Sequence, residues 1–288
     1  MQALTVSKLM KMKKDGIPIS VVTAYDYPSA RLAEEAGVDM ILVGDSLGNV
    51  VLGYDTTLPV TLDDIIYHAR AVRRGAPHTF IIADMPFMTY RLGPETTLRN
   101  AGRLMQEAGV QAVKLEGGAD IAHEVAALTA AGIPVMGHIG LLPQSIHQVG
   151  GYKVQGKLEA DIRRLVDDAK SLEQAGAFAI VLELMTNEAA EAVTRALAVP
   201  TIGIGAGAGC DGQVLVFHDM IQYASPYRSK KFVKTYADVG TTIREAISAY
   251  VRDVKERKFP GPEHSFPGGA ELAAHVYGGG EASRHADH

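Results

Sequence analysis

With a single cysteine, Cys210, the 288-residue chain cannot close an internal disulfide, and no Cys/His spacing suggests zinc. Packing must hold such a fold together, as in a reducing compartment, so the cytoplasm is the expected location. No run of about 18 apolar residues is present to cross a bilayer. The stretch before the first strand-like segment at Ile17 also lacks the apolar centre of a signal peptide. Charge of one sign is scarce as well. The 28 Lys and Arg stand against 33 Asp and Glu, a net charge of -5, and the one basic run, 11–14, has no interleaved aromatics. Nucleic acid and membrane surfaces are therefore not expected partners, and a small molecule is.

What is present is a repeated grammar of apolar run, polar residue, loop and amphipathic helix. Strand-like runs occupy 19–26, 39–46, 79–86, 110–117, 133–140, 177–184, 200–207 and 212–219. Helical patterns cover 29–36, 62–73, 96–108, 121–131, 158–175, 188–197 and 236–258, and 5–14 reads as a short amphipathic helix that plugs one end of the fold. Gly37, Gly75, Gly109, Gly132 and Gly176 stand where a left-handed residue would stop a helix, and Thr61 with Asp64 resembles a capping box. Only 208–211, between the seventh and eighth runs, is too short for a helix. This alternation predicts an α/β fold, a closed (β/α)8 TIM barrel over 1–267 with an N-terminal capping helix, and a loosely held tail over 268–288. Two connections, 47–59 and 141–156, are long for strand-to-helix loops and are expected to lie over the site.

The polar residues near the strand ends carry the chemistry. They are Asp45 and Ser46 on the second run, Asp84 on the third, Lys114 and Glu116 on the fourth, His138 on the fifth and Glu183 on the sixth. Side chains alternate along a strand, so Val43/Asp45, Ile82/Asp84, Lys114/Glu116, Met136/His138 and Val181/Glu183 should each share a face. Taken singly they have plain explanations: a helix cap, an ion pair, a satisfied core histidine. Packing does not explain their joint placement on consecutive strands. If they converge, four carboxylates face one lysine and one histidine, an imbalance that a divalent cation would relieve. Oxygen ligands without cysteine point to a hard ion, Mg²⁺ or Mn²⁺. Held by Asp45 and Asp84, it could chelate a 2-oxo acid and acidify the neighbouring carbon, with Glu183 as base and Lys114 and His138 on the substrate's charge.

Other features read as structural. The glycines at 203, 205, 207 and 209 lead to a strand and not a helix, so they indicate close backbone approach and not a dinucleotide site, with a phosphate site after the seventh and eighth strands as the alternative. Tyr25-Asp26 reads as pocket wall, and His218-Asp219 as structural.

The motifs TAYDYPSA (23–30), VGDSLGNVVLGYDTTLPVT (43–61), ADMPF (83–87), VKLEGG (113–118), GHIGLLPQS (137–145), GGYKVQGK (150–157), VLE (181–183), IGIGAG (202–207) and DGQVLV (211–216) resemble, in order, those of the ketopantoate hydroxymethyltransferase family. The resemblance implies a decameric barrel enzyme of pantothenate and coenzyme A biosynthesis. Such an enzyme moves a hydroxymethyl group from 5,10-methylenetetrahydrofolate to 3-methyl-2-oxobutanoate, forming 2-dehydropantoate. It further implies Mg²⁺ on Asp45 and Asp84 with Glu116 close to the metal, the oxo acid on Asp45, Ser46, Asp84, Lys114 and His138, and Glu183 as proton acceptor. Two departures stand out: Leu142 where the family has Thr, and Leu184-Met185-Thr186 where a Val-Pro pair is usual. A Mg²⁺-dependent carbon-carbon lyase or mutase of the phosphoenolpyruvate and isocitrate lyase type is the alternative. It would require a catalytic cysteine or a dedicated phosphate or dicarboxylate clamp, and Cys210 is in the wrong place to serve.

Overall fold

The computed structural model describes residues 4–223, 230–268 and 275–276. The chain divides into two compact units, 1–237 and 238–288. In the first, eight parallel strands close a barrel in sequence order: β1 (Ile19–Thr23), β2 (Met40–Val43), β3 (Phe80–Asp84), β4 (Ala112–Glu116), β5 (Val135–Gly140), β6 (Ala179–Glu183), β7 (Thr201–Ile204) and β8 (Gly212–Leu215). The chain runs through helices α1 (Val6–Asp15), α2 (Tyr27–Glu35), α3 (Leu47–Val50), α4 (Leu62–Gly75), α5 (Pro94–Arg103), α6 (Ala122–Ala130), α7 (Ile146–Val149), α8 (Glu159–Gln174), α9 (Asn187–Ala196) and α10 (Phe217–Met220). The expected TIM barrel is therefore the observed one, down to the missing helix between β7 and β8.

Two apolar layers hold it. Inside the barrel, Ile19, Val21, Met40, Leu42, Phe80, Ile82, Met136, Val181, Ile202 and Val214 pack together, with Phe80 and Phe178 edge to face at 5.9 Å. Outside, the alternate strand residues, such as Ile41, Val43, Ile81 and Val113, meet the buried stripes of the helices, for example Ile65, Ala69 and Val72 of α4. Strands buried on both faces are what continuous apolar runs encode. Helix α1 plugs the amino-terminal end as expected. Its Leu9 is fully buried in the interior cluster, and its Lys13 Nζ donates to Thr194 O, Val199 O and Asp211 Oδ2 at 3.1, 3.0 and 2.9 Å.

Local signals mostly translate directly. Thr61 and Asp64 form a reciprocal capping box on α4, and Gly37, Gly109, Gly132 and Gly176 take positive φ. Gly75 is different: it remains the last residue of α4, and a Cβ there would lie 2.3 Å from Tyr27 O, so close packing of α4 on α2 and not a left-handed turn requires it. Close approach also accounts for Gly207, where a Cβ would meet Asn187 Oδ1 at 2.3 Å.

Three expectations need correction. The run 212–219 is a strand only to Leu215, and its His218-Asp219 lies in α10. The run 19–26 stops at Thr23, and Asp26 caps α2 by accepting from Ser29 N at 2.8 Å. The helix expected over 236–258 is α11 (Val239–Lys255), in the second unit, capped by Asp238 accepting from Thr241 N at 3.0 Å. Its Ile243, Ile247, Tyr250 and Val254 recur at helical spacing, with Ile247, Tyr250 and Val254 58, 57 and 43% exposed. The tail expected over 268–288 lies outside the described residues except at 268, 275 and 276.

Candidate active site

A cavity of about 310 Å³ opens at the carboxyl end of the barrel. Its lining includes Asp45, Ser46, Asp84, Lys114, Glu116, His138 and Glu183, so all the site residues expected from the sequence are brought together. Strand alternation does this for five of them. Ile82 and Asp84, Met136 and His138, and Val181 and Glu183 share the inward face, the apolar member below and the polar one toward the rim, and on β4 Lys114 and Glu116 both follow the inward Ala112. Register completes the convergence, because Asp84 pairs with Lys114, Glu116 with His138 and Gly140 with Glu183 on adjoining strands.

Asp45 arrives by another route. Strand β2 ends at Val43, whose side chain faces the outer helix layer, so Val43 and Asp45 do not share a face. A turn at Gly44 carries Asp45 over the barrel mouth, where its N–H donates to Asp84 Oδ2 at 3.0 Å. Ser46 follows at the start of α3 and exchanges a 2.8 Å hydrogen bond with Tyr25 OH. Tyr25 is not pocket wall; it is 1% exposed and stands behind Ser46.

The ionisable groups form a chain of contacts. Lys114 Nζ lies 3.0 Å from Asp84 Oδ1 and donates to His138 Nδ1 at 3.1 Å. His138 Nε2 donates to Leu141 O at 3.0 Å and lies 3.4 Å from Glu183 Oε2. With Nδ1 accepting and Nε2–H donating, His138 is the neutral imidazole. Burial and the Lys114 charge hold its pKa well below the usual histidine value, in agreement. Burial works against the Lys114 ammonium, but Asp84, Glu116 and Asp45 outweigh it and push its pKa up.

Carboxylates are in excess. Burial, then Asp84 and Glu116, raise Asp45 well above the usual range; burial raises Glu116 to about 8 against the pull of Lys114 and the Gln144 N–H; burial raises Glu183 to about 7. Asp84 Oδ1 has no neutral donor, only the adjacent ammonium. Among the described residues, no three His, Cys, Asp or Glu side chains are gathered closely enough to hold a metal by themselves. Asp45, Asp84 and Glu116 offer oxygen donors and no sulfur to one cavity, chemistry that suits a hard cation such as Mg²⁺.

The two long loops cover the cavity. Asn49 and Thr57 come from the loop after β2, and Leu141, Pro143 and Tyr152 from the loop after β5. Sequence reasoning gave Gln144 no role, although it lay in a quoted motif, and passed over Tyr90 entirely. Both are buried and bonded to the site. Asp219, read as structural, lines the cavity and pairs with Lys230 at 2.6 Å. Its sequence signal was the same apolar-run-then-acid pattern that marked Asp84.

The departures at 184–186 fall on the rim. Leu184 takes φ 47°, a left-handed conformation that costs a branched side chain about 1–3 kcal/mol, and it lines the cavity. Thr186 caps α9 by accepting from Ala189 N at 3.3 Å.

The family model for ketopantoate hydroxymethyltransferase matches residues 3–262. The chain belongs to that family. Its relatives include the 3-methyl-2-oxobutanoate hydroxymethyltransferase of Geobacillus kaustophilus, 58% identical over 93% of this chain and 96% of the relative. The enzyme of that name from Carboxydothermus hydrogenoformans is 54% identical over 96% of this chain and all of its own. As a member of the hydroxymethyltransferase family, the chain is an enzyme. Solved structures resemble it in fold. They include 2,3-dimethylmalate lyase of the PEP mutase/isocitrate lyase superfamily (TM-score 0.56, 20% identity, 94% of this chain and 93% of that one). Another is phosphonopyruvate hydrolase in complex with oxalate and Mg²⁺ (TM-score 0.54, 16% identity, 96 and 95% covered). The alternative lyase or mutase reading therefore shares this hydroxymethyltransferase's fold.

One close backbone approach constrains the end of β6, which carries Glu183. Gly140 has φ 95°, and a Cβ there would stand 2.3 Å from Glu183 O. Gly140→Ala is expected to lower unfolding free energy by about 2–4 kcal/mol, from overlap plus strain, and to reduce turnover by displacing the end of β6. Urea unfolding and steady-state kinetics measure the two effects.

Proposed function

We propose that the chain transfers a hydroxymethyl group from 5,10-methylenetetrahydrofolate to 3-methyl-2-oxobutanoate, forming 2-dehydropantoate, with Glu183 as the proton acceptor. The observation that carries the reading is the convergence of Asp45, Asp84, Glu116 and Glu183 with the Lys114 ammonium and the neutral His138 imidazole on a single small cavity at the barrel's carboxyl rim. Asp45 and Asp84, with Glu116 beside them, would hold Mg²⁺ or Mn²⁺, which when bound polarises the keto group and stabilises negative charge on its oxygen.

The chain's own residues do the rest. Ser46 and Lys114 hold the oxo acid's carboxylate, Ser46 oriented by Tyr25 and Lys114 by Asp84 and His138. His138, neutral and donating through Nε2, keeps its charge out of the pocket and its N–H near Glu183. The branched carbon of the substrate faces an apolar wall that includes Leu42, Val181 and Val214. Glu183 removes the C3 proton. The methylene carbon gives up both of its bonds to the folate nitrogens: the C3 electron pair takes one place and a water oxygen the other, and the proton taken from C3 and one proton of that water go to the two nitrogens, so that tetrahydrofolate is the second product. Leu141, Pro143 and Tyr152 narrow access to bulk water while the carbanion lasts.

Among the described residues no helix is long and apolar enough to cross a membrane. A cytoplasmic place is supported by the lone cysteine, and homo-oligomeric assembly by the exposed apolar stripe of α11, the number ten resting on the family resemblance alone.

The test is folate-dependent formation of 2-dehydropantoate with and without a chelator. A fall of at least about 10²-fold on chelation, reversed by added Mg²⁺, is expected for a Lewis-acid role. Product formed without folate, or turnover indifferent to chelator, would refute it.

A further inference from the structure

We infer that Gln144, held by Tyr90, is a positioning residue that sets the two outer carboxylates of the site and ties the loop after β5 to them. The inference rests on the cation site proposed at Asp45 and Asp84. Gln144 is 5% exposed and is the middle residue of the short turn Pro143–Ser145 that follows Leu141 and Leu142, so it belongs to the loop covering the cavity. Its amide nitrogen donates to Met85 O at 3.0 Å and to Asp45 Oδ2 at 2.8 Å. Its backbone N–H donates to Glu116 Oε2 at 3.0 Å. One residue therefore grips acids from two separate strand ends, after β2 and on β4.

The geometry leaves little freedom. An amide nitrogen has two hydrogens and no acceptor capacity, and Met85 O is an acceptor whatever else changes. Once one hydrogen is committed there, the other points at Asp45 Oδ2 and fixes that oxygen against the loop. Met85 O and Asp45 Oδ2 fix which end of the amide is which, since a flipped amide would set its oxygen against both; Tyr90, fully buried, holds the other end, its one hydroxyl hydrogen shared between Gln144 Oε1 at 2.8 Å and Glu116 O at 2.9 Å. Asp45 Oδ1 and Glu116 Oε1 are the oxygens left without a bond to Gln144. The arrangement is that of an outer partner that orients ligand carboxylates, whose loss costs metal affinity of about 10–100-fold. Because the same residue anchors the loop, a well-placed cation and a well-placed loop require each other.

Calorimetric titration of Mg²⁺ into the full-length protein, without substrate, tests this with Gln144→Leu and Tyr90→Phe, each checked by thermal unfolding in chelator. Gln144→Leu is expected to weaken Mg²⁺ binding about 10–100-fold, and to raise KM for the oxo acid more than it lowers kcat. Tyr90→Phe removes only the hydroxyl and is expected to weaken binding in the same direction by several-fold, which keeps the test decisive should Gln144→Leu fail to fold. Folded variants that bind Mg²⁺ within twofold of the parent would overturn the inference. A parent protein that itself binds no Mg²⁺ would instead overturn the cation site on which it rests.

Discussion

Glu183→Gln is expected to abolish exchange of the C3 proton of 3-methyl-2-oxobutanoate with solvent and to lower kcat by about 10²–10⁴-fold, while cation-dependent binding of the oxo acid persists. The amide matches the carboxylate in shape but accepts no proton. Glu183 is suited to the role because its environment raises its pKa to about 7, chiefly through burial. A base must be unprotonated to act. The parent rate should therefore fall about tenfold per pH unit below 7 and level off above it, the usual behaviour of a single required base. Proton exchange followed by NMR across pH 5–9 measures this. Undiminished exchange in Glu183→Gln would remove Glu183 from the mechanism, and the His138 contact at 3.4 Å would make that neutral imidazole the next group to examine.

Asp84→Ala should be the most damaging single change to stability among the site residues. Asp84 and Lys114 are each 4% exposed at the side chain and 3.0 Å apart, and Asp84 Oδ2 also accepts the Asp45 N–H. Its removal strands a buried ammonium and an N–H. A loss of about 3–5 kcal/mol follows for breaking a buried pair from one side. Magnesium binding and turnover should fall below detection in the same variant. Lys114→Met in the Asp84→Ala background removes the stranded charge. Urea unfolding should then show much of the stability restored, while activity stays absent. Equal stability of the single and double variants would mean that Glu116 and Asp45 already satisfy Lys114.

The barrel was legible because apolar runs alternating with amphipathic segments leave a closed parallel sheet as the simplest way to bury both faces of every strand. The inward set Asp84, Lys114, Glu116, His138 and Glu183 was legible for the same reason: with a period of two, knowing which apolar residue faces in settles which polar residue does. Asp45 reached the right place by a wrong argument. Alternation from Val43 would have pointed it outward with that residue, and only the turn at Gly44 brings it over the mouth. His218-Asp219 shows the opposite error, since a short helix begins where the apolar run suggested continued strand.

The order of apolar and polar residues along the chain thus determined, unaided, the fold class, the rim that holds the chemistry and most of the groups on it, because strand periodicity and helix amphipathicity are local properties. The tertiary structure alone decided which groups touch. Lys114 sits between Asp84 and His138, His138 is held neutral by what surrounds both its nitrogens, and Gln144 reaches Asp45 across 99 residues of chain. Contacts of that kind depend on barrel register and on the path of loops, which are set by the closing of the whole sheet and not by any one stretch of sequence.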